Sequence, residues 1–154
     1  MNDKRQQAED LVYDAMAMMA DGDFSGAESI LRDALGLDPC SIEALWNIGV
    51  AVQEQGRNDE ALDFFRRGVD IDPKSSHLLI LYASALVLSN QDEEAARMLE
   101  AALEIDAEDS DAWSVYSTVL SSLGRDGEAA AAERRADELD RAHKADLRKR
   151  GFVV

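Results

Sequence analysis

The 154-residue sequence is poor in residues that cross-link chains or end helices. Cys40 is its only cysteine, which excludes an internal disulfide and a zinc site built from several cysteines. Two prolines and nine glycines leave few places where a helix has to stop, while alanine, leucine, glutamate and arginine are abundant. The composition therefore predicts an all-α protein without β-sheet.

Groups that carry catalysis or bind metals are also scarce. His77 and His143 are the only histidines, and the sequence contains no HExxH motif, no nucleophile elbow and no glycine-rich phosphate loop. The acidic run from Asp106 to Asp111 lacks the glycine and the spacing of a calcium-binding loop. We therefore expect a protein that is not an enzyme and that binds no cofactor and no metal.

Long apolar runs are absent as well. No stretch approaches the roughly 18 apolar residues that a membrane-spanning helix needs. The first residues, MNDKRQQAEDL, are charged and contain no apolar core of the kind that a secretory signal has. The sequence thus predicts no membrane insertion and a cytoplasmic location.

Basic residues are few and unevenly distributed. Residues 1–140 contain 11 basic and 31 acidic side chains, a net charge of −20, whereas residues 141–154 contain five basic and one acidic, a net charge of +4. The two values sum to the formal net charge of −16. Because an acidic body repels phosphates, we expect no nucleic-acid partner.

The sequence is rich in internal repetition. It can be written as four segments of 34 residues without a gap, at residues 8–41, 42–75, 76–109 and 110–143. Small residues recur where the two helices of a hairpin would have to approach closely, and large apolar residues recur with helical spacing at positions 4, 7 and 11. Position 20 holds Ala27, Ala61, Ala95 and Ala129. Position 15 holds Gly22, Gly56, Asn90 and Gly124, which tolerate the left-handed conformation that ends a helix.

The second segment carries the clearest pattern. Its sequence from Ser41 to Pro73, SIEALWNIGVAVQEQGRNDEALDFFRRGVDIDP, resembles a tetratricopeptide repeat. The resemblance implies an all-α fold, a right-handed superhelical α-solenoid in which each of the four repeats is a helix hairpin. It also implies a surface that holds another polypeptide rather than one that performs catalysis.

We interpret residues 1–154 as a single domain, in which residues 144–154 form a helical extension and a basic, apolar tail after the fourth repeat. Neither glycine nor proline occurs from Glu128 to Arg150, which predicts one extended terminal helix ending at Gly151. Glu133 and Asp137 stand where the earlier repeats have apolar residues. They would give this last helix the polar outer surface that the end of a repeat array needs.

In the family, positions 2, 5, 6, 9, 12 and 13 of each first helix line a concave groove that binds peptides. The resemblance therefore implies a binding site in the first three repeats, where these positions are unusually apolar. The predicted partner-binding residues are Val12, Tyr13, Met16, Met19, Trp46, Asn47, Val50, Gln53, His77, Ile80, Leu81, Ser84 and Leu88. Trp46 is the predicted anchor, and burial in the core is the alternative role for any one of these residues.

One subclass of the family grips the C-terminal carboxylate of a partner with lysine and asparagine side chains. Of that clamp only Asn47 is present here. The corresponding positions of the first and third repeats hold Val12, Met16, His77 and Leu81. Without the clamp's lysines a carboxylate has little to pair with, so a co-chaperone of the heat-shock type is not expected.

An acidic, apolar groove predicts a protein or peptide partner with hydrophobic anchors and basic flanks. The chain would then be an adaptor or a chaperone-like module, and it is similar in size and charge to small repeat proteins that chaperone secretion-system translocators. The alternative is a structural module that self-assembles through the groove or the tail. That tail, HKADLRKRGFVV, is itself basic and apolar. It is predicted either to dock in its own groove or in that of a neighbour, giving autoinhibition or a homo-oligomer, or to be a flexible end.

Overall fold

A computed structural model of the protein describes residues 4–152, which form eight α-helices and no β-strand. Short turns join the helices, and each first helix packs against the second helix that follows it. The helices are α1 Lys4–Ala20, α2 Phe24–Leu37, α3 Ile42–Glu54, α4 Asn58–Ile71, α5 Ser76–Leu88, α6 Asp92–Ile105, α7 Ser110–Ser122 and α8 Asp126–Lys149. The predicted all-α fold is confirmed, and the four hairpins correspond to the four repeats.

The turn inside each hairpin contains the left-handed residue predicted from position 15. The backbone angle φ is +82° at Gly22, +78° at Gly56 and +72° at Gly124. Asn90 takes the same place in the third hairpin with a φ of +56°. An asparagine tolerates this conformation better than other residues with a side chain, so the third turn keeps its shape without glycine.

Side chains fix the starts of three first helices. Ser41, Ser75 and Asp109 each accept a hydrogen bond from the backbone N–H three residues ahead, at the beginning of α3, α5 and α7. Such a cap satisfies a backbone donor that would otherwise lack a partner and stabilises a helix by about 1 kcal/mol. These caps define where each first helix begins.

Contacts between the helices divide the chain into two compact units. The N-terminal unit ends at Pro73 and contains α1 to α4, and the C-terminal unit begins at Lys74 and contains α5 to α8. Each unit holds two of the four repeats. The assignment of the whole chain to one domain stays a prediction.

The core of the N-terminal unit is centred on α2, α3 and α4. Its largest fully buried side chains are Leu31, Leu45, Ile48 and Val52. Phe65 of α4, which is only 4% exposed, lies against Gly49 of α3, where an added Cβ would be 2.5 Å from the Cε1 atom of the ring. The small residue at position 8 is therefore what allows α3 and α4 to approach each other here.

Charged side chains tie α2 to the start of α4. Glu28 accepts hydrogen bonds from Arg57 at 2.8 Å, from Arg32 at 2.9 Å and from Gln55 at 2.8 Å. Glu60 accepts from the same two arginines, at 2.6 Å from Arg57 and 2.8 Å from Arg32. The bond from Arg57, supported by those from Arg32 and Gln55, lowers the pKa of Glu28 to about 2 against the opposing effect of burial.

Replacing Glu28 with glutamine is expected to lower the free energy of unfolding by about 1–2 kcal/mol at neutral pH. Because the pKa of Glu28 is lower in the folded protein than its ordinary value of 4.5, the carboxylate stabilises the fold fully above that value. This contribution is lost as the pH falls toward 2. Urea unfolding of both proteins, at neutral pH and through the acid range, should therefore show a difference that shrinks with acidification.

The control for this prediction is Asp33→Asn on the same helix. Asp33 is exposed and forms no ion pair with any residue from 4 to 152, so its replacement removes one negative charge without breaking the network. We expect only a small effect on stability at any pH. A cost of Glu28→Gln that stayed constant into the acid range would contradict the role given to this carboxylate.

In the C-terminal unit, α7 packs on α8. The contact is formed by Leu120, Ala129 and Ala132, with Trp113 and Tyr116 partly buried against them. The indole N–H of Trp113 donates to the carbonyl oxygen of Ala107 at 2.9 Å, and the hydroxyl of Tyr116 donates to Glu100 at 2.7 Å. Burial, with the bond to Glu100, raises the pKa of Tyr116 to about 12. Of the three large apolar positions in the fourth repeat, Leu120 is therefore buried in the core. Trp113 and Tyr116 are only half-buried and lie at its edge.

The last helix, α8, is much longer than its partner. It contains 24 residues against 13 in α7, which makes it about 16 Å longer. Ala129, Ala132 and Ala136 are buried, whereas residues 140–146 are all exposed. The predicted extended terminal helix is confirmed. No helix in residues 4–152 combines the length and apolar character needed to cross a bilayer.

Candidate functional site

The helices α1 and α3 are neighbours in the N-terminal unit, so residues on the same side of both can form one surface. On α1 this side exposes 76% of Tyr13 and 51% of Met16, while Met19 is half-buried. On α3 the corresponding groove positions of the family hold Trp46 and Val50, both half-buried. We call these five residues the N-terminal face. Exposed large apolar side chains such as Tyr13 and Met16 are typical of interaction surfaces when they belong to one patch.

Trp46 is held in place by the core beneath it. Its ring centroid lies 5.0 Å from that of Phe65, with the two ring planes inclined by 42°. Phe65 is itself fixed against Gly49, as described above. An aromatic ring supported in this way loses little conformational freedom on binding, which suits it to act as an anchor for a partner.

Two other predicted residues of α3 are polar and half-buried, Asn47 and Gln53. The side-chain amide of Asn47 donates to the carbonyl oxygen of Glu43, four residues back on the same helix, at 2.7 Å. One of the N–H groups that a carboxylate clamp would use is therefore engaged within the helix. This geometry agrees with the absence of the clamp's lysines from the sequence.

Carboxylates occupy other groove positions of the same two helices. Glu9 on α1 and Glu43 and Glu54 on α3 are exposed at the groove positions of the family. Glu9 pairs with Arg5 at 3.3 Å, whereas Glu43 and Glu54 form no ion pair with any of the described residues. Residues 1–73 contain 16 acidic and six basic side chains, a net charge of −10. The surroundings of the face are therefore negative and favour a cationic partner.

Two of the predicted site residues are buried. Val12 is 6% exposed and lies on the side of α1 that also buries Ala8 and Ala15. Ile80 is 7% exposed in the largely buried helix α5. Neither side chain is available to a partner in this structure, and their contribution is to packing. The apolar character of a groove position does not by itself distinguish these two roles.

The predicted residues of the C-terminal unit lie on α5. His77 and Leu88 are exposed, while Leu81 and Ser84 are half-buried. The hydroxyl of Ser84 donates to the carbonyl oxygen of Ile80 at 3.0 Å, and so is used within the helix. The equivalent positions of α7 are mostly hydroxylated, at Ser114, Val115, Thr118, Ser121 and Ser122. Exposed apolar surface is therefore more extensive on the N-terminal face.

Sequence reasoning placed the end of α8 at Gly151 but missed the hydrogen-bonded motif that forms this end. The N–H of Gly151, whose φ is +89°, donates to the carbonyl oxygen of Arg148 at 3.1 Å, and the N–H of Phe152 donates to that of Leu147 at 3.0 Å. These two bonds form a Schellman motif, whose signal in the sequence is a glycine followed by an apolar residue just after the helix. These bonds define the backbone as far as Phe152, and whether the tail docks or forms a flexible end stays a prediction. Val153 and Val154 lie outside the described residues.

Comparison with known proteins identifies the architecture. A sequence model described as Tetratricopeptide repeat matches residues 18–76 and 52–119, which together cover more than half of the chain. No curated protein matches it in sequence. The solved structure of MamA has a TM-score of 0.83 at 18% identity, over 90% of this chain and 81% of MamA. MamA from Desulfovibrio magneticus RS-1 has a TM-score of 0.81 at 20% identity, over 88% and 76% of the two chains.

PilF from Pseudomonas aeruginosa is also similar, with a TM-score of 0.80 at 23% identity, over 89% of this chain and 63% of PilF. At these identities the likeness establishes the α-solenoid fold alone. Repeat proteins of this fold are generally non-catalytic modules for protein–protein interaction. The four hairpins, their left-handed turn residues and the match of the family model lead to one conclusion: the chain belongs to the tetratricopeptide repeat family.

Proposed function

We propose that this protein is a non-catalytic adaptor or chaperone-like module that binds an apolar segment of another protein on its N-terminal face. The partner segment carries hydrophobic anchors and is flanked by lysine or arginine. The observation that carries this proposal is the exposure of Tyr13 and Met16 on α1, a helix that contacts α3, where the core holds Trp46 in place. Burial of such apolar surface against an apolar partner is favourable, because it removes the surface from water.

The side chains of the face suit a variable partner. Met16 and Met19 are unbranched and can adapt to anchors of different shape. Tyr13 and Trp46 contribute large areas with few rotatable bonds, so binding immobilises little. A combination of rigid aromatic and adaptable methionine side chains supports recognition of an apolar pattern more than of one particular sequence.

The charges around the face supply orientation and selectivity. Glu43 and Glu54 are exposed carboxylates without an ion-pair partner among the described residues, and the unit as a whole is negative. Basic residues on either side of an apolar segment would gain from this potential, whereas acidic ones would be repelled. The proposal therefore predicts binding that weakens as the salt concentration rises.

Trp46→Ala is expected to weaken binding of a suitable peptide by about 30-fold, the equivalent of about 2 kcal/mol for an anchor residue. The probe is a fluorescent synthetic peptide of leucine and phenylalanine flanked by lysines, and the measurement is fluorescence anisotropy. Far-UV circular dichroism of the variant should change little, and its thermal unfolding should fall less than that of a core variant, because Trp46 packs on Phe65 but is only half-buried.

The matched control is Ile71→Ala. Ile71 is 42% exposed in the same unit, but on the second helix α4 rather than on a first helix. Its replacement should leave peptide binding unchanged. Equal losses from both variants, or equal affinity for a peptide flanked by glutamates, would contradict the proposed surface.

A further inference from the structure

The end of α8 is an exposed element with a defined shape. The exposed residues 140–146 are followed by half-buried Leu147 and by the Schellman motif that ends the helix. In this motif Phe152 is brought back beside Leu147, and the two residues commonly make an apolar contact. Phe152 nevertheless remains 56% exposed. The helix therefore ends in an aromatic residue whose backbone is held by hydrogen bonds and whose ring is largely exposed to water.

The same end is strongly basic. Residues 141–154 carry a net charge of +4, and Lys144 and Lys149 form no ion pair with any residue from 4 to 152. The guanidinium carbon of Arg150 lies 6.0 Å from the ring centroid of Phe152, so a positive charge accompanies the exposed ring. An apolar anchor with basic flanks is what the surroundings of the N-terminal face favour.

We propose that the end of α8, from Arg141 to Phe152, binds the N-terminal face of a second copy of this chain. This inference rests on the proposed function, because it uses the same face, and it names an occupant for that face. Phe152 is the anchor, and it contacts the surface formed by Tyr13, Met16 and Trp46. The lysines and arginines of α8 pair with the carboxylates around that surface, including Glu43 and Glu54.

The partner is a second copy for two reasons. Phe152 is 56% exposed at the end of a continuous helix, so its own chain leaves the ring in water. An anionic membrane would also attract a basic helix, but it would repel residues 1–140 with their net charge of −20. The acidic N-terminal unit of another copy offers opposite charge and apolar surface together.

A contact between two different surfaces has a consequence for assembly. It is heterologous, so each bound pair leaves one face and one helix end unoccupied. Repetition of the contact produces an open chain of molecules or, where the angle permits, a closed ring. Mass should therefore rise with concentration, to that of a dimer if two copies exchange helix ends reciprocally and beyond it if the chain stays open.

Sedimentation of the full chain over a range of concentrations, under reducing conditions and at low salt, tests this inference. The wild type is expected to assemble, and Phe152→Ala and Trp46→Ala are each expected to weaken assembly by roughly tenfold or more. An equimolar mixture of the two variants should form a heterodimer. In that mixture one partner supplies an intact face and the other an intact helix end, so a single full-strength contact is possible.

Wild-type protein that stays monomeric at all concentrations would overturn the inference, as would assembly that neither variant alters. Flotation with phosphatidylserine vesicles tests whether the helix end binds lipid instead. Binding to vesicles that depends on Phe152, without self-assembly, would assign the helix end to lipid and would also overturn the proposal. If the lysine-flanked peptide binds in a manner that requires Trp46 while the chain does not assemble, the proposed function stands and only the self-association fails.

Discussion

Replacing Phe65 with alanine is expected to lower the free energy of unfolding by about 3–5 kcal/mol. Phe65 is 4% exposed, its ring fills the space above Gly49, and it supports Trp46. Glycine cannot fill the resulting cavity, because it has no side chain to rearrange. Since small domains are stable by about 5–15 kcal/mol, the loss is a large part of the total.

Urea unfolding followed by far-UV circular dichroism measures this loss. The matched control is Phe152→Ala, the same chemical change at a ring that is 56% exposed, and it should alter stability by less than about 0.5 kcal/mol. A similar loss in the free energy of unfolding at the two positions would contradict the role of Phe65 as a core residue. Weaker peptide binding is also expected for Phe65→Ala, because Trp46 loses its support.

Replacing Leu120 with alanine is expected to cost about 3 kcal/mol in the C-terminal unit. Leu120 is 1% exposed and is the largest buried side chain of the cluster that joins α7 to α8, where its partners Ala129 and Ala132 are already small. Short partners on a helix backbone cannot move into the space that a leucine leaves. Loss of this contact should also release α8, whose second half has no buried packing of its own.

The control in the same unit is Leu88→Ala. Leu88 is 52% exposed at the end of α5, so its removal should change the free energy of unfolding by less than about 0.5 kcal/mol. Thermal and urea unfolding of both variants gives the comparison. Equal free energies of unfolding for the two variants would show that the contact between α7 and α8 contributes little to the stability of this unit.

Much of the fold could be predicted because it depends on local chemistry that repeats. Glycine or asparagine at position 15 predicts a left-handed turn wherever it occurs, and the angles at Gly22 and Asn90 agree. Alanine at position 20 predicts close contact between helices, and Ala27, Ala61 and Ala95 are completely buried. The end of α8 follows from the absence of helix-breaking residues before Gly151.

The contacts that could not be predicted join residues that are far apart in sequence. Glu28 and Arg57 are separated by 29 positions, and nothing in either local sequence shows that they meet. The sequence did contain a signal for part of this network. Arginine at position 16 and glutamate at position 19 recur in the second and fourth repeats. They form an ion pair in both, Arg57 with Glu60 and Arg125 with Glu128. The recurrence predicts the local pair, but not its extension to α2.

Assigning the site residues meets a different difficulty. A groove position is defined by the direction in which its side chain points from the helix. Consecutive residues point about 100° apart, so an error of one position decides whether a side chain is assigned to the core or to the surface. Val12 and Tyr13 are adjacent on α1, yet one is 6% and the other 76% exposed. Sequence periodicity places a residue on a helix face within about one position, which is too coarse to separate neighbours at its edge.

The rarity of cysteine gives the chain a practical property. Cys40 is the only thiol in the 154 residues, and it is exposed in the turn between α2 and α3, where its backbone N–H donates to the side chain of Asp38 at 3.1 Å. A maleimide dye therefore attaches at one known point of the N-terminal unit, without any substitution. Donor and acceptor dyes placed on separate batches of protein would report contact between copies as energy transfer, with one label on each molecule.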